Sequence, residues 1–555
     1  MPDRVPAESD IGANANIARH LALMAGAHPT TPALKIPRGR TRSGSIDYLT
    51  LSFAELDQEV AAWSDRLLRA GLQRGDRTLV MVRQGLPLIA SVFAVFRLGA
   101  VPVVIDPGMG LQNFLACVAR SRPRALVGIP LVHVMRWIFR SAFASVTVSV
   151  RASPALTARL SDGAPAHGRA SAPTVASAPT DLAAVLFTSG STGAPKGVCY
   201  EHGMFDAQVR LIRQTYAIKP GEIDLPLLPI FALFNPALGM TTIVPEIDPR
   251  RPAAFDPAKI VQAIQQEKVT NSFGSPTLWR KIGDHCRARG LTLPSLRRVL
   301  CAGAPVPAGL WQDSRSFLPH GRLHSPYGAT EALPVATISA DEVEPGSTRG
   351  ACLGRVVPGM EARIIQLSDD PIATLGHAHE VPPGAIGEII VRGPVVTTTY
   401  DALPEPTRAA KIHDVDANVV WHRMGDCGYR DDAGRLWFCG RKAERVETAD
   451  GPLHTEPCEQ VFRGHPEVTR CALIGLGARP EQRPAIVVET WMRDPAALRS
   501  LASALRGLAV GHAHTARITR FYFRTQFPVD VRHNAKIHRL TLARWAATAR
   551  PYDTD

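Results

Sequence analysis

Thr188-Ser-Gly-Ser-Thr-Gly-Ala-Pro-Lys-Gly197 follows directly on the apolar run LAAVLF at 182–187. An apolar run of that length, stopped by a Gly/Ser/Thr cluster, reads as a buried strand opening into a loop. Gly190 and Gly193 let the backbone turn with its N–H groups facing inward. The hydroxyls of Thr188, Ser189, Ser191 and Thr192 and the ammonium of Lys196 then line the nest, which is the chemistry of a phosphate grip. The loop is not of the G-x4-G-K-[ST] type, because Pro195 precedes the lysine and Gly197 follows it.

The flanking chain has the pattern of a parallel sheet covered by helices. Residues 77–82 form a short apolar strand, 86–98 a mostly buried helix ended by Gly99, and 101–105 the returning strand, stopped by Asp106-Pro107. Residues 151–181 are dominated by Ala, Ser and Pro and are expected to form a long surface loop. Further strands are expected at 298–301, 361–367 and 387–392, with one side of a hairpin at 434–440. The pattern then restarts, with strands at 471–476 and 485–489 and a helix at 495–508, so a domain boundary is expected near 440.

Composition narrows the function. The 555 residues carry 63 Lys+Arg against 50 Asp+Glu, a formal net charge of +13, but only 9 of those cations are lysines. Arginine spread through an Ala-, Pro- and Gly-rich chain explains much of that charge without a nucleic-acid footprint, so no nucleic acid is expected as a partner. The longest apolar stretch, near 86–96, is ended by Arg97. It falls well short of the ~20 residues that span a bilayer, so no transmembrane segment is expected. The first residues lack an apolar signal segment, and the nine cysteines contain no C-x-x-C pair. A cytoplasmic location without a disulfide framework is the expectation.

Five other segments carry chemistry-bearing residues in a fixed order: Ala302-Gly-Ala-Pro305, Ser325-Pro-Tyr-Gly-Ala-Thr-Glu331, Gly425-Asp426, Gly440-Arg441 and Asn534-Ala-Lys536-Ile537. With the 188–197 loop, this series resembles the acyl-adenylate-forming superfamily, which includes acyl-CoA synthetases, luciferases and peptide-synthetase adenylation domains. The resemblance implies ATP and Mg2+. It assigns the loop residues Thr188, Ser189, Gly190, Ser191, Thr192, Gly193 and Lys196 to the triphosphate, and Gly303, Ala304 and Pro305 to a wall against the adenine. Ser325 and Tyr327 would also line the adenine side, and Gly328 would allow close backbone approach. Thr330 would reach the α-phosphate, and Glu331, with Thr188, would hold Mg2+ through hard oxygen ligands. Asp426 would accept from the ribose hydroxyls, and Arg441 would reach ribose or phosphates.

Lys536 is the implied catalytic lysine, joined by Lys196, Glu331 and Thr188. Negative charge grows on phosphorus when a carboxylate attacks, and an ammonium brought there stabilises it. The surrounding stretch 517–550 holds eight cations and one acid, Asp530.

Departures from the superfamily narrow the second half-reaction. Ala443 stands where an acid is usual, Glu447 where a pantetheine-lining lysine is usual, and Ala232 where acyl-CoA ligases often carry histidine. All three weaken the case for coenzyme A. The segments 197–204, 233–239 and 531–538 resemble the OleC-type β-lactone synthetases of bacterial olefin biosynthesis. That resemblance implies ATP-dependent activation of a long-chain 2-alkyl-3-hydroxy acid, then attack by its own β-hydroxyl to give a β-lactone, AMP and pyrophosphate. It also implies assembly with the β-lactone decarboxylase and the NADPH-dependent reductase of the same pathway. Phe231, Leu233, Phe234 and Leu238 are candidates to line the alkyl groove. His202 and His324 are candidates for the base, and His533 and His538 flank the lysine.

The expected fold is α/β: a large N-terminal AMP-binding domain of layered sheets and helices over 1–440, and a small mobile α+β lid over 441–555. A long-chain acyl-CoA or acyl-AMP ligase is the alternative. A non-catalytic binder of nucleic acid or anionic membrane is the alternative of a different class.

Overall fold

The computed structural model describes residues 14–152, 173–188, 194–248, 254–344, 348–529 and 537–554. Most of the Ala/Ser/Pro-rich stretch expected as a loop therefore lies outside the described residues.

The strand–helix–strand reading of 77–105 corresponds to strands Arg77–Met81 and Val101–Ile105 around helix Leu86–Arg97. Ten of that helix's twelve residues are buried, as expected for one that is apolar all round. The two strands belong to a six-stranded sheet together with Ala125–Gly128, Val148–Arg151, Leu182–Thr188 and Lys196–Glu201. Leu182–Thr188 runs parallel to Val101–Ile105, with Val103 opposite Val185, and antiparallel to Lys196–Glu201. The loop quoted above therefore leaves the carboxyl end of a parallel strand, where α/β sheets place their ligands.

A second, fourteen-stranded sheet path carries most of the remaining motifs. Its parallel part contains Asn271–Gly274, Arg298–Cys301 and Arg322–Ala329. At Arg322–Ala329 the chain folds back as a hairpin with Ala332–Ser339, placing Thr330 and Glu331 at the tip. The antiparallel part continues through Ala351–Val356 to Leu436–Arg441, Val419–Arg430 and Gly387–Arg392. The hairpin expected at 434–440 is the pair Val419–Arg430 and Leu436–Arg441, which sets Asp426 opposite Arg441.

Beyond residue 446 the core is separate. Phe462, Leu473, Ile486, Leu505 and Phe521 pack in a cluster that draws only on that part of the chain. Its sheet pairs Arg470–Leu476, Arg483–Glu489, Arg520–Arg524 and Tyr552–Asp553. All nine cysteines are free thiols. Among the described residues, no helix is long and apolar enough to cross a membrane.

Burial holds several histidines neutral. Burial pushes the pKa of His202, of His324 and of His454 down from 6.5 to about 4. A group whose folded pKa is depressed contributes stability that is complete above its unfolded value and is lost as pH falls towards the folded one. For His202 the full span is on the order of 3 kcal/mol. The melting temperature is therefore expected to fall between pH 6.5 and 4. His202→Asn, which cannot take the proton, should flatten part of that slope in thermal melts across the pH series.

Candidate active site

The strands on either side of the phosphate-type loop lie among the described residues. Thr188 pairs with Lys196 across the hairpin, whereas Ser189, Gly190, Ser191, Thr192 and Gly193 lie outside the described residues. Gly197 comes next, and a Cβ there would meet Phe187 at 2.9 Å and Asp401 at 3.1 Å. The missing side chain lets the segment 397–401 lie against the strand. Asp401 N–H donates to the Gly197 carbonyl at 2.7 Å, and Cys199 N–H to that of Thr399 at 3.2 Å. Arg77 fixes the segment by donating twice to the Asp401 carboxylate, at 2.7 and 3.1 Å.

That segment delivers Tyr400 to two other site elements. The Tyr400 hydroxyl donates to Glu331 Oε1 at 2.7 Å, and the Lys196 ammonium lies 4.8 Å from the centre of its ring. Burial, and then the Glu331 charge, push the Tyr400 phenol up, so it stays a donor. Thr397 N–H and Oγ1 donate to the Glu331 carbonyl at 2.9 and 3.3 Å. The Tyr200 hydroxyl donates to the carbonyl of Thr330. At Gly328 an added Cβ would stand 2.5 Å from the Ala332 carbonyl oxygen, so the hairpin closes only with glycine there.

The second group forms around Asp426. Its Oδ2 accepts from the Tyr327 hydroxyl at 2.7 Å, and its Oδ1 lies 3.0 Å from Arg441 Nη1. Burial and the neighbouring Asp426 charge hold the Tyr327 phenol protonated. Arg441 is stabilised as a cation first by Asp426, and it also feels Tyr327, Glu444 and Glu331. Arg441 therefore connects this group electrostatically to the Glu331 group. Gly303 takes φ +96° on the loop after Arg298–Cys301, with Gly303 and Pro305 exposed and Ala304 half-buried. Ser325 is half-buried within the hairpin strand, opposite Ile338.

Two residues of this cluster carried no motif signal. Tyr400 is one and Lys411 is the other. Lys411 is almost fully buried, and its ammonium donates to the Thr397 carbonyl and, at 3.4 Å, to Thr397 Oγ1. It lies 5.9 Å from the centre of the Tyr400 ring. Burial pushes its pKa down to about 7, with Glu331 acting upward and Lys196 downward. The available signal was scarcity: a lysine retained in a chain with nine.

The apolar candidates divide. Phe231 stacks on Phe273 with ring centres 3.6 Å apart, and Phe234 packs towards Phe205 at 6.3 Å. Phe205 stacks in turn on Tyr200 at 5.0 Å, so aromatic contacts run from Phe234 to the residue that holds Thr330. Leu233 is half-buried, whereas Leu238 is fully enclosed in the main core. His202 Nδ1 accepts the Ile17 N–H at 3.3 Å, and His324 packs edge-on to Tyr216 at 5.6 Å, so both rings are engaged in packing.

Lys536 lies outside the described residues, as do the flanking Asn534 and His533. The ends of its segment are anchored. Val529 bridges Ile537, and His538 N–H donates to Pro528 at 2.9 Å. Arg539 donates to both Glu459 oxygens at 2.8 Å and to Glu444 at 2.9 Å.

A model of the AMP-binding enzyme family matches residues 24–401, which include the loop, the hairpin tip and Tyr400. The chain belongs to the AMP-binding enzyme family. It is 44% identical over 553 residues to the olefin β-lactone synthetase of Xanthomonas campestris pv. campestris, covering 96% of this chain and 98% of that protein. It is 43% identical over 550 residues to the olefin β-lactone synthetase of Stenotrophomonas maltophilia, again covering 96% and 98%. The fold is similar to that of ATP-bound MatB from Rhodopseudomonas palustris, with a TM-score of 0.77, 21% identity, and coverage of 96% of this chain and 99% of that one.

In this AMP-binding enzyme, Lys411→Met is expected to lower activity at least about tenfold while shifting the melting temperature little. Removing a buried charge relieves desolvation, which offsets the lost hydrogen bonds. Steady-state rates and thermal melts on the same preparation check this.

Proposed function

We propose that this enzyme uses ATP to activate a long-chain 2-alkyl-3-hydroxy acid as its acyl-adenylate, and that the substrate's β-hydroxyl then closes a β-lactone. The observation that carries this reading is 44% identity over nearly the whole chain to an olefin β-lactone synthetase. The grouping of Lys196, Glu331, Tyr327, Asp426 and Arg441 supports the nucleotide side of it.

The substrate carboxylate attacks the α-phosphorus and pyrophosphate leaves. Lys196 and the loop 188–193 hold the phosphates, and Asp426 accepts from the ribose hydroxyls while Arg441 neutralises its charge. The adenine lies beside Tyr327, with Ser325 and Gly303–Pro305 around it. Lys536 faces the charge that grows in the transition state.

Among the described residues, no group of three or more His, Cys, Asp or Glu could hold a metal. Magnesium does not need such a cage, because one or two carboxylates plus substrate phosphates commonly hold it. Glu331, with Oε1 engaged by Tyr400, fits that donor set, and Thr188 is its proposed companion. When bound, the ion neutralises phosphate charge.

In the second step the β-hydroxyl oxygen bonds to the acyl carbon, the C–O bond to AMP breaks, and the hydroxyl proton is released. Holding both groups in one molecule gives the hydroxyl a high effective concentration. The residues at the departures from acyl-CoA ligases fit an enzyme without a thiol acceptor. Glu447 receives a hydrogen bond from Arg445, which also binds Asp369 twice, and Ala232 is buried. Residues 441–555 are proposed to act as a lid that carries Lys536 to and from the nucleotide. Phe231, Leu233 and Phe234 are proposed for the alkyl groove. The decarboxylase and reductase of the same reaction sequence are proposed partners, and the cytoplasm is the proposed location.

Incubation with ATP, Mg2+ and a 2-alkyl-3-hydroxy acid is expected to give lactone, AMP and pyrophosphate without coenzyme A, read by mass spectrometry. Product that forms only when coenzyme A is added would sink the lactone reading in favour of an acyl-CoA ligase. Lys536→Ala is expected to abolish pyrophosphate release while ATP binding, measured by calorimetry, persists. Unchanged release would remove Lys536 from the mechanism.

A further inference from the structure

The helix Pro130–Ile138 (PLVHVMRWI) is attached to the six-stranded sheet by one face only. Val132 is its one buried residue. His133 contacts the Gly128 carbonyl and Ser149, and Arg136 donates to the Val146 carbonyl at 2.9 Å. The opposite face is apolar and uncovered: Leu131 is 62% exposed, Val134 51%, Trp137 68% and Ile138 57%. At about 100° per residue these four positions fall within an arc of roughly 120°, a single stripe. Scattered exposed apolar residues need no explanation, but a contiguous stripe with an exposed tryptophan does.

The segment that carries the stripe has charge of one sign in sequence. Between Asp106 and Asp162 the sequence holds seven arginines, no lysine and no acid. Arg124 pairs with Asp76. Arg122, Arg140 and Arg151 are exposed, and the Arg140 guanidinium lies 5.9 Å from the centre of the Trp137 ring. Arg151 is on the edge strand Val148–Arg151, and Arg66 donates to its carbonyl at 2.5 Å. The surface thus presents apolar side chains, including tryptophan, with the Arg140 guanidinium beside them. That is the chemistry of a helix lying in the interface of a membrane with anionic headgroups. A protein groove would complement the stripe equally well, but the exposed arginines of a sequence window without acids favour a partner with dense negative charge.

We propose that the helix Pro130–Ile138 docks the enzyme reversibly on anionic lipid bilayers, with Leu131, Val134, Trp137 and Ile138 inserted between headgroups and Arg140 paired with them. The inference does not depend on which acid is activated, because none of these residues belongs to the proposed site. The test is co-sedimentation of the full chain with vesicles of phosphatidylcholine alone or with phosphatidylglycerol added. Binding to the anionic vesicles, weakened by salt, is expected, with little on pure phosphatidylcholine. The double variant Leu131→Ser/Trp137→Ser is expected to partition about tenfold more weakly, because two apolar side chains no longer leave water. Trp137→Phe should retain most binding. Both variants should keep full pyrophosphate release on detergent-solubilised substrate, whether or not that substrate is the acid proposed above. Absence of pelleting on anionic vesicles, or equal pelleting of the double variant, would overturn the proposal. The first of these outcomes would assign the stripe to a protein contact.

Discussion

The hydrogen bond from the Tyr400 hydroxyl to Glu331 joins parts of the chain that otherwise belong to different sheets. Glu331 is at the tip of a hairpin on the long sheet path, and Tyr400 lies on a segment clamped to the six-stranded sheet at Gly197 and Arg77. Lys196 approaches the same ring from the start of its strand. A burial-stabilised phenol is well suited to this link. It cannot ionise near neutral pH, so it donates to the carboxylate without adding negative charge beside a phosphate site. Among the described residues the second Glu331 oxygen accepts no hydrogen bond, and its carbonyl is held independently by Thr397.

Lys411 supports that arrangement from below. A charged lysine enclosed in protein is costly unless hydrogen bonds and opposite charge stabilise it. Here the stabilisation comes from the Thr397 carbonyl, the Tyr400 ring and the field of Glu331. Lys196 opposes it. When phosphate charge enters such a site, the balance for Lys411 shifts further towards its charged form. Lys411 is thus poised to respond to the nucleotide, while it holds the backbone at Thr397 in place.

Much of this was legible in the sequence because local rules and tertiary demands agree. The strand Val101–Ile105 and the helix beginning at Leu86 follow from apolar runs cut by Gly99 and Asp106-Pro107. Gly328 and Gly197 are legible as glycines, and the structure shows the backbone and side-chain approaches that require them. Asp426 and Arg441 were named separately, yet their pairing depends on strand register across a hairpin, which spacing alone does not give. Tyr400 and Lys411 were missed for a related reason. Each lies on an irregular or short segment with no glycine-rich signature, and each acquires its role only when the two sheets meet. Leu238 shows the opposite limit, since a leucine beside a candidate groove reads the same whether it lines the groove or fills the core.

The C-terminal part of the chain, the proposed lid, follows the same logic. Glu459 is fully buried, and it carries its charge because Arg539 and Arg463 both bind it. Burial acts to raise its pKa, but the two guanidinium groups win and hold it low. Arg539 also reaches Glu444, in the short turn after Arg441, so one guanidinium ties the chain just beyond Lys536 to the turn just beyond Arg441. A buried pair of this kind contributes little net stability relative to apolar packing, but breaking it is expensive because a charge is stranded. Its value lies in geometry. In the proposed lid movement, Arg539 and Glu444 would travel as one unit. The arginines at Glu459, Asp426 and Asp401 are each matched by a buried carboxylate, so the net charge of +13 comes from cations elsewhere in the chain.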